Sequence, residues 1–203
     1  QAYALTETSP VASSLAPERC LEKLGSAGLS PVHTELRIVD SNNVAVGPDV
    51  RGEICVKGPN IMKGYWNRPE ATAKAIDAEG WFHSGDVGYL DDEGYLYICD
   101  RLKDMVISGG ENIYPAEVES VLFEHPAIAE VAVIGLPDDK WGEAVTAVAA
   151  LNAEETLTLE ELRSFAESKL ARYKLPLKLH VVPQLPRNPA GKVLKFQLRE
   201  QLS

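Results

Sequence analysis

The sequence has 203 residues, of which 45% are hydrophobic and 25% are charged, as is usual for a globular domain. It has 30 acidic side chains and 20 Lys and Arg, which gives a net charge of −10. This charge argues against sequence-independent binding of nucleic acid, because such binding needs a basic surface. The longest apolar stretch, near residues 128–136, is interrupted by Glu130 and is too short to cross a bilayer, so we predict no integral membrane segment.

The chain opens with Gln1-Ala2-Tyr3 and has neither an initiating Met nor the charged and apolar regions of a secretion signal. We therefore expect a piece of a longer protein. Its three cysteines, Cys20, Cys55 and Cys99, have no C-x-x-C spacing and form no cluster with histidine in the sequence. We expect buried thiols, a reducing cytoplasmic location and no zinc.

Short strands separated by turns are predicted in the first half of the chain. Residues 35–39 and 53–57 alternate or run apolar, and residues 95–99 also have the pattern of a strand. Stretches rich in Gly, Pro and Asn separate these segments. Pro69 suits the first turn of a short helix, which we predict over residues 69–76.

Helices and strands alternate in the second half. Pro115 opens a predicted helix, and Thr158 followed by Glu161 has the pattern of a capping box at the start of another. The predicted elements are helices over residues 116–124, 159–170 and 195–202, and strands over residues 129–136, 144–151 and 178–182.

These patterns predict a mixed α+β and α/β fold in two domains. Residues 1–100 are predicted to be the β-rich C-terminal end of a larger, incomplete domain. Residues 101–203 are predicted to form a small α+β domain. The charged segment 100–104 is the predicted hinge between them.

Four segments carry residue types with a chemical use. In the first, residues 81–89, Asp86 follows a Ser84-Gly85 turn, where a rigid carboxylate can accept two hydrogen bonds from a vicinal diol such as ribose. Taken alone, this segment is better explained by an Asp that stabilises its own turn.

The second segment, residues 100–119, contains Arg101 and the pair Gly109-Gly110. The planar guanidinium can meet a phosphate or a ribose, and the glycines allow the backbone to approach a ligand or to adopt positive φ. A plain hairpin explains the glycine pair about as well.

The third segment, residues 186–195, places Lys192 in a loop rich in Gly and Pro. A lysine there can neutralise charge that develops on a phosphate, although a solvated surface lysine is the simpler explanation. The fourth, residues 3–8, puts the Thr6 hydroxyl beside the Glu7 carboxylate, a pair able to bind a phosphate and its Mg²⁺ but uninformative by itself.

Together, the order and spacing of these segments over residues 3–198 resemble the adenylate-forming superfamily. That superfamily includes acyl- and aryl-CoA ligases, luciferases and peptide-synthetase adenylation domains. Residues 64–72 and 131–143 are typical of its CoA-ligase branch. The resemblance implies an acid–thiol ligase that activates a carboxylic acid with Mg²⁺ and ATP as an acyl-AMP and transfers the acyl group to CoA.

The resemblance also implies roles for individual residues in the first half-reaction. Thr6 and Glu7 would be catalytic at the phosphates, with Glu7 as the Mg²⁺ ligand. Asp86 and Arg101 would bind the ribose of ATP. Lys192 would reach the α-phosphate region.

In the second half-reaction the small domain would have rotated about Lys103, which occupies the hinge position of the family. That rotation would remove Lys192 and bring Gly109 and Gly110 to the pantetheine channel. Tyr3 and Trp141 complete the implied cofactor-binding residues.

The sequence departs from the family at Ala4, where many members have Gly, and at Ser84, where Thr is more frequent. The phosphate loop that the family carries upstream is absent. We therefore expect the isolated chain to be inactive, and residues 1–100 to expose apolar surface that favours self-association, for example as a homodimer. A carrier-dependent adenylation domain, a luciferase-like enzyme and a non-catalytic folded module remain alternatives.

Overall fold

A computed structural model describes residues 1–202 of the chain. It forms two compact units, unit 1 from Gln1 to Leu102 and unit 2 from Lys103 onward. Both units combine β-sheet with short helices, so the prediction of a mixed α/β fold is confirmed. Among the described residues, no helix has both the length and the apolarity that a bilayer crossing requires.

Unit 1 contains a small two-stranded sheet, a four-stranded antiparallel sheet and one helix. The small sheet pairs β1 with β2, and the larger one has the order β3-β4-β5-β6. The elements are β1 (Ala2–Ala4), β2 (Val11–Ser14), β3 (Glu35–Val39), β4 (Gly52–Lys57), α1 (Pro69–Ala75), β5 (Phe82–Leu90) and β6 (Leu96–Arg101). One face of the larger sheet packs Ile38, Ile54, Val56, Phe82 and Leu96 into a buried core.

The prediction of a tight turn at Ser84-Gly85 is wrong, because these residues lie inside β5. From His83 to Val87, β5 is two residues longer than the opposing segment of β4, so the ladder bulges there. Gly85 takes a φ of +70°, which a residue with a side chain rarely adopts. The bulge re-aims the following side chain, that of Asp86.

Unit 2 is a five-stranded sheet with helices on both faces. In it β10 pairs antiparallel with β9 and parallel with β11, and β10 also meets the β7–β8 hairpin. The elements are β7 (Val106–Ser108), β8 (Glu111–Ile113), α2 (Pro115–Leu122), β9 (Ile128–Asp138), β10 (Gly142–Leu151), α3 (Leu159–Ala166), β11 (Lys178–Val181) and α4 (Lys195–Leu202).

The unbroken apolar run of β10 follows from burial on both faces of the sheet. Val145 and Ala147 pack with the buried residues of α2 and α3, whereas Val148 packs toward Leu198 of α4. A strand that is covered on both faces has no solvent-facing side that would require alternating polar residues. Residues 144–151 are therefore almost continuously apolar in sequence.

Most predicted elements are present within two residues of their predicted ends, but α3 is shorter than predicted. It ends at Ala166, and residues 167–170 continue as a turn. Leu170 is still buried in the core of unit 2, so the apolar spacing continues after the helix has ended. The short strands β1, β2, β7 and β8, and the longer strand β5, were not predicted.

Candidate functional site

Asp86 is a buried carboxylate at the centre of a polar group in unit 1. The Tyr3 hydroxyl, from the middle of β1, donates to its Oδ2 at 2.5 Å. The Arg101 Nε, at the end of β6, lies 2.6 Å from its Oδ1. Asp86 is only 5% exposed, and Arg101 faces it in the register of β5 with β6. The structure therefore brings together three predicted site residues that are far apart in sequence.

The protonation state of Tyr3 follows from this arrangement. Burial raises the pKa of the Tyr3 phenol well above its ordinary value, and the hydrogen bond to Asp86 raises this pKa further. The phenol therefore remains a hydrogen-bond donor at neutral pH. A carboxylate offers about four lone-pair sites, so Asp86 can hold Tyr3 and Arg101 and still accept from a diol.

Glu53 was missed by the sequence analysis, although it supports the bulge that carries Asp86. Its Oε1 accepts the Gly85 amide at 3.0 Å. The Ser84 hydroxyl donates to the Ile54 carbonyl at 2.7 Å and accepts the Asp86 amide at 3.1 Å. These bonds hold the bulge to β4, so the backbone at Asp86 is fixed before any ligand arrives.

One cysteine and one histidine that are far apart in the sequence lie side by side in the fold. Cys55 faces His83 directly across β4 and β5, and Glu53, Cys55 and His83 place a ligand atom each within 4.8 Å of one another. Burial, and then the charge of Glu53, raise the pKa of the Cys55 thiol to about 12. Both Glu53 oxygens already accept hydrogen bonds, from Gly85 and from the His83 ring at 2.8 Å. The cluster is thus satisfied internally and supports the bulge.

Thr6 and Glu7 lie in a helical turn between β1 and β2. Thr6 is exposed and Glu7 is half-buried. The Tyr65 hydroxyl donates to Glu7 Oε1 at 3.0 Å, and the Met62 amide donates to the Glu7 carbonyl at 2.8 Å. Burial and the hydrogen bond to Glu7 raise the pKa of Tyr65. The sequence analysis did not identify Tyr65, because it lies 58 positions from its partner.

Gly109 and Gly110 form the turn of the β7–β8 hairpin in unit 2, with φ values of +61° and +85°. The Gly109 amide donates to the Trp141 carbonyl at 2.8 Å. A Cβ on Gly109 would lie only 2.9 Å from the Trp141 ring, so the indole covers this glycine closely. At Gly110 a Cβ would meet no atom within 4 Å, which leaves that side of the hairpin open.

Lys192 has an exposed side chain on the loop between β11 and α4. Its amide donates to Asn188 Oδ1 at 2.9 Å, and its carbonyl accepts the Asn188 amide at 2.9 Å. Arg187 donates to the Gly191 carbonyl at 2.6 Å and closes the turn. Lys103 is also exposed, in the helical turn Leu102–Asp104, and the boundary between the two units falls immediately before it.

The chain is similar to known proteins along its length. Residues 1–66 match the family of AMP-binding enzymes, and residues 117–192 match the AMP-binding enzyme C-terminal domain. The chain is 48% identical to 2-succinylbenzoate–CoA ligase of Geobacillus sp. over 98% of its length. It is 49% identical to long-chain-fatty-acid–CoA ligase FadD13 of Mycobacterium tuberculosis over its whole length.

Solved structures show the same similarity. The o-succinylbenzoate CoA synthetase of Bacillus subtilis, in complex with its acyl-adenylate intermediate, matches 98% of the chain with a TM-score of 0.90 and 47% identity. ATP-bound MatB of Rhodopseudomonas palustris matches 98% of the chain with a TM-score of 0.88 and 38% identity. The synthetase of B. subtilis is also known in complex with AMP, and with ATP and a magnesium ion.

The mixed α/β fold is thus that of adenylate-forming enzymes. The chain belongs to the adenylate-forming superfamily, and its relatives there are acyl- and aryl-CoA ligases. This confirms the family resemblance seen in the sequence. The chain spans 40% of the length of the two curated relatives and of the two solved structures compared above.

Proposed function

We propose that this chain is part of an AMP-forming acid–CoA ligase. In the first half-reaction a carboxylate oxygen attacks the α-phosphorus of ATP, an acyl-AMP forms and pyrophosphate leaves. In the second, the thiol of CoA attacks the acyl carbon, loses its proton, and displaces AMP. The observation that carries the proposal is Asp86, a buried carboxylate held by Tyr3 and Arg101 in a chain whose relatives are CoA ligases.

In this proposal the Asp86 carboxylate accepts hydrogen bonds from both ribose hydroxyls, and Arg101, 43% exposed at its side chain, turns toward the ribose as well. The Tyr3 hydroxyl keeps Asp86 oriented and its ring forms one wall of the nucleotide site. Ribose binding by Asp86 needs no rearrangement of its backbone, because the bulge at Gly85 already fixes that backbone.

Glu7 and Thr6 serve the phosphates. Carboxylate and hydroxyl oxygens are the ligands that Mg²⁺ prefers, and Tyr65 holds the Glu7 carboxylate in place, so the residues present fit this ion. A bound Mg²⁺ would offset the negative charge of the phosphates. Thr6, exposed beside Glu7, offers its hydroxyl to a phosphate oxygen.

Unit 2 acts in both half-reactions under this proposal. Lys192 donates to the α-phosphate region while the acyl-AMP forms. Rotation at Lys103 then replaces it with the Gly109-Gly110 turn, whose open side admits the pantetheine thiol, and Trp141, 40% exposed, packs against CoA. We also propose a cytoplasmic location.

The experiment uses a full-length ligase, which is either the longer polypeptide containing this chain or a hybrid in which the chain replaces the matching part of the B. subtilis synthetase. We expect acid-dependent pyrophosphate release, and acyl-CoA when CoA is added. If the acyl group passes to a phosphopantetheinyl carrier protein and not to CoA, the acceptor is wrong. If no acid stimulates pyrophosphate release, the ligase proposal fails.

The isolated chain is proposed to be inactive, since it spans only 40% of its relatives. Acid-dependent ATP–pyrophosphate exchange by the purified chain, above that of Lys192→Ala, would contradict this. Self-association is proposed from exposed apolar side chains of unit 1, which include Leu21, Val32 and Trp66 at 87%, 84% and 90% exposure. Sedimentation at high concentration checks this, and a strictly monomeric chain would contradict it.

A further inference from the structure

Three consecutive residues, Trp141 and the first two residues of β10, hold the β7–β8 hairpin of unit 2. The Trp141 carbonyl accepts the Gly109 amide at 2.8 Å, and Gly142 pairs with Ser108 in the sheet. Glu143 Oε2 accepts the Ile107 amide at 2.7 Å. The first two of these hydrogen-bonding contacts use the backbone, so only the bond to Glu143 depends on a side-chain acceptor, while the Trp141 indole adds a packing contact over Gly109.

The Glu143 carboxylate lies over a glycine of the neighbouring strand. A Cβ on Gly135, in the middle of β9, would be 2.7 Å from Glu143 Oε1 and 2.8 Å from its Cδ. The φ of Gly135 is not in the left-handed region, so its backbone does not require glycine. The missing side chain at Gly135 leaves the space that the carboxylate occupies on its way to Ile107.

The hydrogen bond from the Ile107 amide to Glu143 affects the position of the hairpin more than the stability of unit 2. Glu143 is only half-buried and Ile107 is exposed, so water can replace the carboxylate when it is removed. A free amide at Ile107 would therefore cost little folding energy. The hairpin, however, would lose one of the contacts that fix its distance from β10, namely the side-chain hydrogen bond from Glu143.

We propose that Glu143 is a positioning residue for the acyl-transfer step, which acts by holding the Gly109-Gly110 turn where the thiol must pass. This rests on the function proposed above. The carboxylate itself touches no reacting atom. Its removal should displace the turn, and a displacement of about 1 Å can lower a rate on the order of 10²-fold.

The test compares four variants of the full-length ligase. Glu143→Ala removes the acceptor, whereas Glu143→Gln keeps an amide oxygen that can accept from Ile107. Gly135→Ala leaves Glu143 in the sequence but pushes its carboxylate away. Glu155→Ala, which removes an exposed carboxylate from a loop of unit 2, is the matched control.

Two rates are measured for each variant, acid-dependent pyrophosphate release and transfer from preformed acyl-adenylate to CoA. We expect transfer to fall on the order of 10²-fold in Glu143→Ala and in Gly135→Ala, with pyrophosphate release unchanged. Glu143→Gln should restore most of the transfer rate, and Glu155→Ala should match the unmodified enzyme. Equal loss of both rates, or transfer unaffected by Glu143→Ala, overturns the inference.

A second readout separates this inference from the proposed function. In the isolated chain, the amides of Ile107 and Gly109 should exchange hydrogen faster in Glu143→Ala than in Glu143→Gln, while amides of α3 keep their rates. Unchanged exchange at Ile107 and Gly109 overturns the positioning role. Absence of acyl-CoA from the unmodified full-length enzyme refutes the proposed function instead, and it leaves the exchange result intact.

Discussion

The two units present their candidate functional residues in opposite ways. In unit 1, Tyr3, Asp86 and Arg101 are linked to one another, and Asp86 is 5% exposed. In unit 2, Lys192 is exposed and the open side of Gly110 meets no other atom. The first arrangement is a set of side chains linked to one another, whereas in the second the Lys192 side chain and the open side of Gly110 face solvent.

Under the proposed function, this difference matches the separate contributions of the two units to catalysis. A group that must bind the same ribose in both half-reactions gains from being fixed in advance, because it then needs no reorganisation. A lysine needed in only one half-reaction can lie on a loop whose backbone is fixed by hydrogen bonds, while its own side chain stays free to reach the substrate and to leave it. Mutations in unit 1 should therefore affect nucleotide binding throughout, and mutations in unit 2 should separate the half-reactions.

The largest effect is expected from Asp86→Ala in the full-length ligase. Two charge-assisted hydrogen bonds to the ribose, each of about 1.5–3 kcal/mol, would be lost, so kcat/KM for ATP should fall by about 10²–10⁴-fold. The Tyr3 hydroxyl also loses its acceptor, which should lower stability by about 1–3 kcal/mol. Steady-state kinetics and urea unfolding measure the two effects.

Asp92→Ala is the matched control for Asp86, since it removes an exposed carboxylate from the turn between β5 and β6. It should leave both kinetics and unfolding unchanged. A near-normal KM for ATP in a folded Asp86→Ala enzyme would refute the ribose-binding role of Asp86.

Lys192→Ala should slow formation of the acyl-AMP on the order of 10²–10³-fold, because a positive charge beside the developing phosphate charge is lost. Transfer from preformed acyl-adenylate to CoA should be nearly unchanged. Lys169→Ala, which removes a surface lysine paired with Glu124, is the control and should alter neither rate. Equal slowing of both half-reactions by Lys192→Ala would exclude alternation between the two roles of unit 2.

Gly110→Leu should have the reverse effect, slowing transfer to CoA by on the order of 10²-fold while acyl-AMP formation continues. The side chain would stand on the open side of the hairpin where the thiol is proposed to pass. Because φ is +85°, Leu is also strained, so Gly110→Asn is the control, a smaller residue that tolerates this φ. A transfer rate in Gly110→Leu equal to that of the unmodified enzyme would contradict the proposed channel.

The sequence correctly predicted those helices and strands that depend only on residues close together in the chain. The alternation of residues 35–39 gave β3 with the observed ends, and Pro115 does open α2. The bulge at Gly85 could not be foreseen, because Ser-Gly-Asp has the same chemistry in a turn and in a strand. Only the pairing of β5 with β4 decides between them, and that pairing joins residues about 30 positions apart.

The same limit applies to the candidate site. Asp86, Arg101 and Tyr3 were found through a family resemblance, while their mutual contacts span up to 83 positions and carry no local signal. Tyr65 and Glu53 were missed because each acts on a partner far along the chain. A search for carboxylates on the strand next to a candidate Asp could have pointed to Glu53 only after the sheet order was known.

The smallest expected effect concerns the stability of unit 2. Thr158 caps α3, since its hydroxyl accepts the Glu161 amide at 3.2 Å and the Glu161 carboxylate accepts the Thr158 amide at 2.8 Å. Thr158→Ala should lower the free energy of unfolding of unit 2 by about 1 kcal/mol. Hydrogen exchange resolved by residue is the measurement, because amides of α3 should lose protection while those of β3 to β6 in unit 1 should not.

The pH dependence of this effect has a definite sign. Hydrogen bonds from Thr158 lower the pKa of Glu161 in the folded chain, so the stability contributed by the ionised carboxylate is present above its unfolded pKa and is lost as pH falls through the folded value. The difference between the unmodified chain and Thr158→Ala should therefore be largest near pH 7 and shrink in acid. Thr158→Ser, which keeps the hydroxyl, should follow the unmodified chain throughout. A difference independent of pH would show that the hydroxyl caps the helix without the help of Glu161.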